Sequence, residues 1–320
     1  MAVELPGAAK WGVGVALVLA ALLALAALWI PIPNFAWALV FLAVARGLRR
    51  GNPWAGYGGA LLIAALTGSL LVSVSRSELG APSTAQVVIG LALYAIPALL
   101  LCMAGRSLSR SERRGRPAVW IVAAAATFVS LVVFRPFIVP TGAMEDTLLI
   151  GDQFLLMPAS LQTPGRGDIV ALRYPVDRRQ TFIKRIVAAG GDRVRLQGKK
   201  LWINGQEQPE PFVTHKTQHV DMFRDNFPQE PQIRLPNSQW EQELKQHTVN
   251  GEFVVPRGKL FVLGDNRDNS LDSRYWGLLA PHDIIGKPAL IYFSVEKLEG
   301  NSPVLLQPGK IRWSRMFKLL

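Results

Sequence analysis

Fourteen consecutive residues, Gly264-Asp265-Asn266-Arg267-Asp268-Asn269-Ser270-Leu271-Asp272-Ser273-Arg274-Tyr275-Trp276-Gly277, lie between the apolar runs Lys259–Leu263 and Leu278–Leu279. So much Asp, Asn and Arg between two apolar runs is not an accident of a solvated loop. Two upstream segments also carry residues capable of chemistry. One is Val139-Pro140-Thr141-Gly142-Ala143-Met144-Glu145-Asp146-Thr147-Leu148. The other is Arg166-Gly167-Asp168-Ile169-Val170, followed by Tyr174-Pro175 and Phe182-Ile183-Lys184-Arg185. Lys184 follows the apolar, strand-like Thr181-Phe182-Ile183. A free lysine titrates near ~10.4, and burial disfavours its charged form, so a buried lysine can act as a general base. Acyl transfer with such a base also needs a nucleophile and donors for a developing oxyanion. Taken alone, a Lys-Arg pair on a strand is a solvated face.

In this order the three segments resemble the signatures of the type I signal peptidases, the bacterial leader peptidase family with a Ser-Lys dyad. The resemblance covers about Arg135 to Trp276. It implies Lys184 as the general base and Ser270 as the residue that orients it. It implies Thr141, through its hydroxyl, and the backbone N–H of residue 143 as the oxyanion hole. Gly142 permits the tight backbone there, and Asp272 with Arg274 forms a charged pair that holds the last loop. Phe137, Val139, Met144, Phe182 and Ile183 would line shallow pockets for an Ala-x-Ala cleavage site. Asp265, Arg267 and Asp268 are read as scaffold. One departure outweighs the matches: the position of the family's nucleophilic serine holds Ala143. An alanine has no nucleophilic atom, so no acyl-enzyme is expected from this chain. Either position 143 is an engineered knockout of an active peptidase, or the chain is a natural pseudoenzyme that binds signal peptides or serves membrane assembly. The retained Lys184, Ser270, Thr141 and Gly142 favour the first reading.

These residues must be positioned by two very different halves of a chain of 320 residues, half of them hydrophobic. The first 135 residues carry long uncharged runs. Crossing the hydrocarbon core takes about 20 apolar residues, and five candidate helices are read at 11–30, 33–48, 54–74, 85–104 and 118–134. Arg46, Arg49 and Arg50 fall between the second and third; Arg106, Arg110, Arg113, Arg114 and Arg116 fall between the fourth and fifth. Basic loops stay cytoplasmic, so five crossings put 136–320 on the extracytoplasmic side of a bacterial plasma (inner) membrane. The first four spans hold no Asp, Glu, Lys or His at their centres, and they read as an anchor or interaction module rather than a transport path.

After Arg135 the pattern becomes short alternating runs closed by Gly, Pro or Asp: Asp152–Met157, Asp168–Arg173, Thr181–Ala188, Asp192–Leu196, Lys200–Ile203, Glu252–Val255, Lys259–Leu263 and Ala289–Ser294. Such runs predict antiparallel sheets in a barrel or sandwich. The expected fold is therefore a multi-span α-helical membrane region followed by an all-β signal-peptidase-like domain. Its core is placed at 136–196 and 250–310, with an inserted subdomain at about 197–249, read as small β structure or long loops. The terminal Ile311–Leu320, alternating basic and bulky apolar residues, is read as a membrane-surface segment or a packed strand or helix. The formal net charge of +12 comes partly from the loop arginines, with the rest spread through the C-terminal half, and needs no nucleic-acid partner. Cys102 is the only cysteine, so no disulfide forms within the chain. His215 and His219 stand four apart without a Glu or Cys ligand beside them, and neither a metal nor a cofactor is expected. The implied partners are signal peptides of secreted pre-proteins, the lipid bilayer and the secretion translocon.

Overall fold

The computed structural model describes residues 5–26, 31–75, 84–109, 117, 120–122, 135–161, 163–229, 231, 235–296 and 304–320. The chain divides into two compact units, Met1–Arg135 with Leu298–Ile311, and Pro136–Lys297 with Arg312–Leu320.

The first unit is helical. Its uncharged runs become α1 (Gly7–Ala26), α2 (Pro31–Arg49), α3 (Pro53–Ser75) and α4 (Thr84–Leu108). The short second run gains length because Pro31 serves as a helix start, where its missing N–H costs nothing. The helices meet through small residues set among larger ones such as Phe41, Leu48 and Leu101. Ala9, Ala16 and Ala20 of α1, Ala45 of α2 and Ala104 of α4 are buried, while Leu22, Leu25, Leu39, Leu61, Ile96 and Leu99 are exposed. At Gly12 a Cβ would stand 2.3 Å from that of Ala104, so only glycine allows α1 and α4 this approach. Among the described residues, α1 is the one helix that meets both the length and the hydropathy needed to cross a membrane. The expected fifth span, 118–134, lies outside the described residues except for 120–122, as do residues 27–30 of the first.

The second unit is built of two antiparallel sheets. The larger takes β1 (Arg135–Ile138), β2 (Asp152–Pro158), β3 (Ile169–Arg173), β4 (Thr181–Ala189), β10 (Leu260–Leu263), β11 (Ile284–Ser294) and β12 (Lys318–Leu319). Its order is β1-β2-β11-β3-β4-β10, with β12 on β11. The smaller runs β7-β6-β5-β9-β8, from β5 (Arg193–Gln197), β6 (Lys200–Ile203), β7 (Gln206–Glu207), β8 (Thr248–Val249) and β9 (Glu252–Val254). The alternation read in the sequence appears directly in β5: Val194 and Leu196 are buried and their neighbours are not.

Two elements differ from the sequence reading, and one open reading is settled. β11 begins at Ile284 rather than 289, and runs through Pro288. The register shifts between Pro288 and Leu290, so the proline sits at a bulge, where a missing donor is tolerated. The polar insertion contains a helix, Trp240–His247, whose Trp240 and Leu244 are buried one turn apart. Of the readings left open for the C-terminus, a strand is what forms: Lys318 and Leu319 pair with Ile291 and Leu290.

Candidate active site

β4 lies inside the larger sheet, between β3 and β10, and six of its nine residues in a row are buried. Lys184 is among them, directly across from Val170 of β3 and only 3% exposed. Its Nζ stands 5.3 Å from the centre of the Phe182 ring. Burial is the main reason its amine is pushed down from 10.5 to about 8. Asp272 and Asp265 pull it back up, and Arg274 pushes it further down.

Opposite is the single 3-10 turn Gly142–Met144 between β1 and β2. Thr141, in extended conformation, leads into it. Ala143 is 9% exposed and Met144 2%. Thr141, Gly142, Ala143 and Lys184 line one cleft of about 560 Å³, and so do Val139, Met144, Phe182 and Ile183. Phe137 does not; it packs against Phe154 in the apolar cluster beneath, with ring centres 5.4 Å apart. Gln180, Asn269 and Leu271 also line the cleft. Sequence reasoning passed over them, although an apolar Leu271 amid so polar a run was a usable signal.

The long polar run is delivered by β10, whose four residues are all buried. It then turns at Gly264. A Cβ at Gly264 would stand 2.2 Å from the Ser270 Oγ and 2.5 Å from the Ala143 carbonyl oxygen. Glycine is therefore a condition of bringing the polar run against the 142–144 turn. Ser270 is buried beside it, and its Oγ has no hydrogen-bond partner among the described residues. The orienting hydrogen bond to Lys184 that the family resemblance implies is thus not formed in this structure.

Asp272 and Arg274 are fully buried and joined by two hydrogen bonds, each of 2.8 Å. Asp272 also accepts the Gly264 N–H at 3.1 Å, while Arg274 donates to the carbonyls of Arg267 and Arg224. Burial alone would raise the Asp272 carboxyl, but the Arg274 guanidinium, with Lys184 and the Gly264 N–H, holds it below its ordinary value. The charged neighbours hold the loop in the same way. Arg185, adjacent to Lys184, grips Asp265 at 2.8 and 2.6 Å. Arg267 grips Glu210 at 2.8 and 2.5 Å, and Asp268 accepts from Lys199 at 2.9 Å and the Thr217 N–H at 2.8 Å. None of His215, His219, His247 and His282 lines the cleft.

Two antiparallel sheets thus set a buried lysine, its titration lowered to about 8, and a tight turn on one small cleft, with an alanine at position 143. Comparison with known proteins identifies that arrangement. The family described as signal peptidase, peptidase S26, matches residues 113–293. The signal peptidase I of Aquifex aeolicus is 31% identical over 211 residues, covering 55% of this chain and 82% of that one. Signal peptidase IB of Staphylococcus aureus is 29% identical over 192 residues, covering 57% of this chain and 92% of its own. The chain belongs to the signal peptidase S26 family.

Proposed function

We propose that this chain is a membrane-bound signal peptidase I framework, built to remove signal peptides from exported pre-proteins after small residues, and inactive as it stands because position 143 is alanine. The observation that carries the reading is Lys184, 3% exposed, pushed down to about 8 and lining the same cleft as Ala143. A lysine buried in a strand interior, its charge disfavoured, has a chemical use and a stability cost, and a site with no catalytic history has no reason to keep it.

With serine at position 143, neutral Lys184 takes the hydroxyl proton as Oγ attacks the scissile carbonyl. The developing oxyanion is met by the residue-143 N–H and the Thr141 hydroxyl; donors of this kind are worth about 3–4 kcal/mol each. Lys184, then an ammonium, returns the proton to the leaving amine. Ser270 would orient Lys184 once a rotamer change brings its unpartnered hydroxyl round, and the Asp272–Arg274 pair keeps that loop in place. Val139, Met144, Phe182 and Ile183 give the cleft apolar walls that accept an Ala-x-Ala end and exclude bulk.

The working arrangement is multi-pass. The helices 11–30, 33–48, 54–74, 85–104 and 118–134 anchor the chain in the bilayer, and 136–320 is the extracytoplasmic domain, within reach of the secretion translocon. The exposed leucines and isoleucines of the helical unit, and the small residues at its helix contacts, support this, since lipid rather than water suits such a surface. The arginine loops support the orientation. Ala143 itself favours a second reading, a non-catalytic binder of signal peptides or a membrane assembly factor.

One experiment separates the two. The Ala143→Ser chain, in detergent, is offered a peptide whose apolar segment ends in Ala-x-Ala. Cleavage after the final alanine is the expected result. A folded Ala143→Ser protein that cleaves at no pH between 6 and 10 (about that range spans the Lys184 titration) removes the peptidase reading.

A further inference from the structure

The polar run touches the 142–144 turn through one residue more than any other. Asn266 is 1% exposed and lies outside the cleft lining. Its backbone N–H donates to the Ala143 carbonyl at 3.1 Å. Its side-chain Nδ2 donates to the Gly142 carbonyl at 3.0 Å and reaches Glu145 Oε2 at 3.5 Å. The Gly142 carbonyl also accepts the Glu145 N–H at 3.2 Å. Two consecutive carbonyls of the turn are thus held on the Asn266 side.

The peptide between Gly142 and Ala143 is trans. In a planar trans peptide the carbonyl and the following N–H point in opposite directions. Fixing the Gly142 oxygen toward Asn266 therefore directs the N–H of residue 143 away from it. Hydrogen bonds to the carbonyl also polarise the same peptide unit and strengthen its N–H as a donor. Packing does not explain an asparagine here. Its Oδ1 is buried without a partner among the described residues, and a leucine of nearly the same shape would avoid that unmet acceptor.

We propose that Asn266 is the positioning residue of the oxyanion site: its side-chain amide, anchored on the Gly142 carbonyl, aims the residue-143 N–H at the position where substrate charge develops. This rests on the peptidase reading above and adds to it the residue that sets the direction of its backbone donor. Asn266 touches no substrate and acts only through the peptide unit it holds.

The test uses two backgrounds. In the chain with Ala143, binding of two synthetic peptides is measured in detergent by fluorescence anisotropy. One ends in Ala-x-Ala with a free carboxylate, the product form, whose charge falls where the oxyanion would. The other ends in the corresponding amide. Asn266→Leu should weaken the carboxylate peptide about tenfold or more relative to the amide peptide. In the Ala143→Ser chain, Asn266→Leu should lower kcat about 10- to 100-fold and leave KM within about twofold, as a misaimed donor would. If Asn266→Leu does not fold, Asn266→Ser, too short to reach the Gly142 carbonyl, provides the same comparison. Equal weakening of both peptides, or an unchanged kcat, overturns the proposal and leaves Asn266 a structural residue. An Ala143→Ser chain that fails to cleave with Asn266 intact overturns the peptidase reading instead, while the two-peptide comparison still decides the role of Asn266. Failure of the Ala143 chain to bind either peptide overturns both.

Discussion

Replacing Lys184 with methionine isolates the energetic signature of the site in the chain as it stands. Lys184 is 3% exposed, and burial pushes its amine from 10.5 down to about 8. Below about pH 8 the folded protein holds a buried ammonium, which the unfolded chain would keep in water. Each tenfold change in a proton equilibrium is worth about 1.4 kcal/mol, so the charged form destabilises the fold by roughly 3 kcal/mol. So little exposure leaves solvent screening no large discount. The sign follows from proton counting. Between about pH 8 and 10.5 the unfolded state binds the extra proton, so the stability of the parent chain rises with pH there. Lys184→Met, of similar length and no charge, should therefore raise the unfolding midpoint at pH 6 by roughly 6–12 °C for a domain of this size. The advantage should shrink from about pH 8 upward. By about pH 10.5 only the pH-independent packing difference between methionine and a neutral amine should remain. Thermal unfolding of both proteins in detergent across this range is the assay. A difference that does not change with pH, or a methionine variant less stable at pH 6, would refute the argument that burial lowers the Lys184 titration.

The same titration should govern activity once a nucleophile is supplied. In the Ala143→Ser protein, kcat/KM should climb about tenfold per pH unit to a bend near the Lys184 value of about 8. Lys184→Ala should abolish turnover there, whereas replacing His215, His219, His247 or His282 should leave the profile in place; loss with any one of them reassigns the base. Gly264→Ala should cost about 1–3 kcal/mol in denaturant unfolding, because its Cβ would stand 2.2 Å from Ser270 Oγ and 2.5 Å from the Ala143 oxygen; unchanged stability would mean that the polar run and the turn are not in this contact. A cysteine at position 107, in a Cys102→Ala background, should resist an impermeant reagent added outside intact cells; labelling of it would overturn the proposed orientation.

The chemistry-bearing segments were legible without a fold. The order of three motifs pointed to Thr141, Gly142 and Lys184, which the fold brings to one cleft, and to Ser270, which it buries without the bond its motif implies. Hydropathy runs and two-residue alternation likewise announced helices first and antiparallel strands after, because both patterns are local. Less local features were read poorly. The run read from Ala289 in fact starts at Ile284, since the sheet passes Pro288 with a bulge, and the helix at Trp240–His247 hid within a polar insertion, its two buried residues too few to stand out.

What the sequence by itself determined is the set of groups present and the class of element that carries each one. What only the tertiary structure decided is which of them meet. Lys184 is desolvated because β3 and β10 enclose β4 from both sides, and no run of three apolar residues states that. Phe137 falls into the core rather than the cleft, and Ser270 Oγ lies against Gly264 without the partner its motif implies. Asn266 reaches a turn 124 residues away in the chain, which no local signal foretells. Burial and close approach are properties of strand pairings between distant segments, and those pairings exist only once the two sheets have formed.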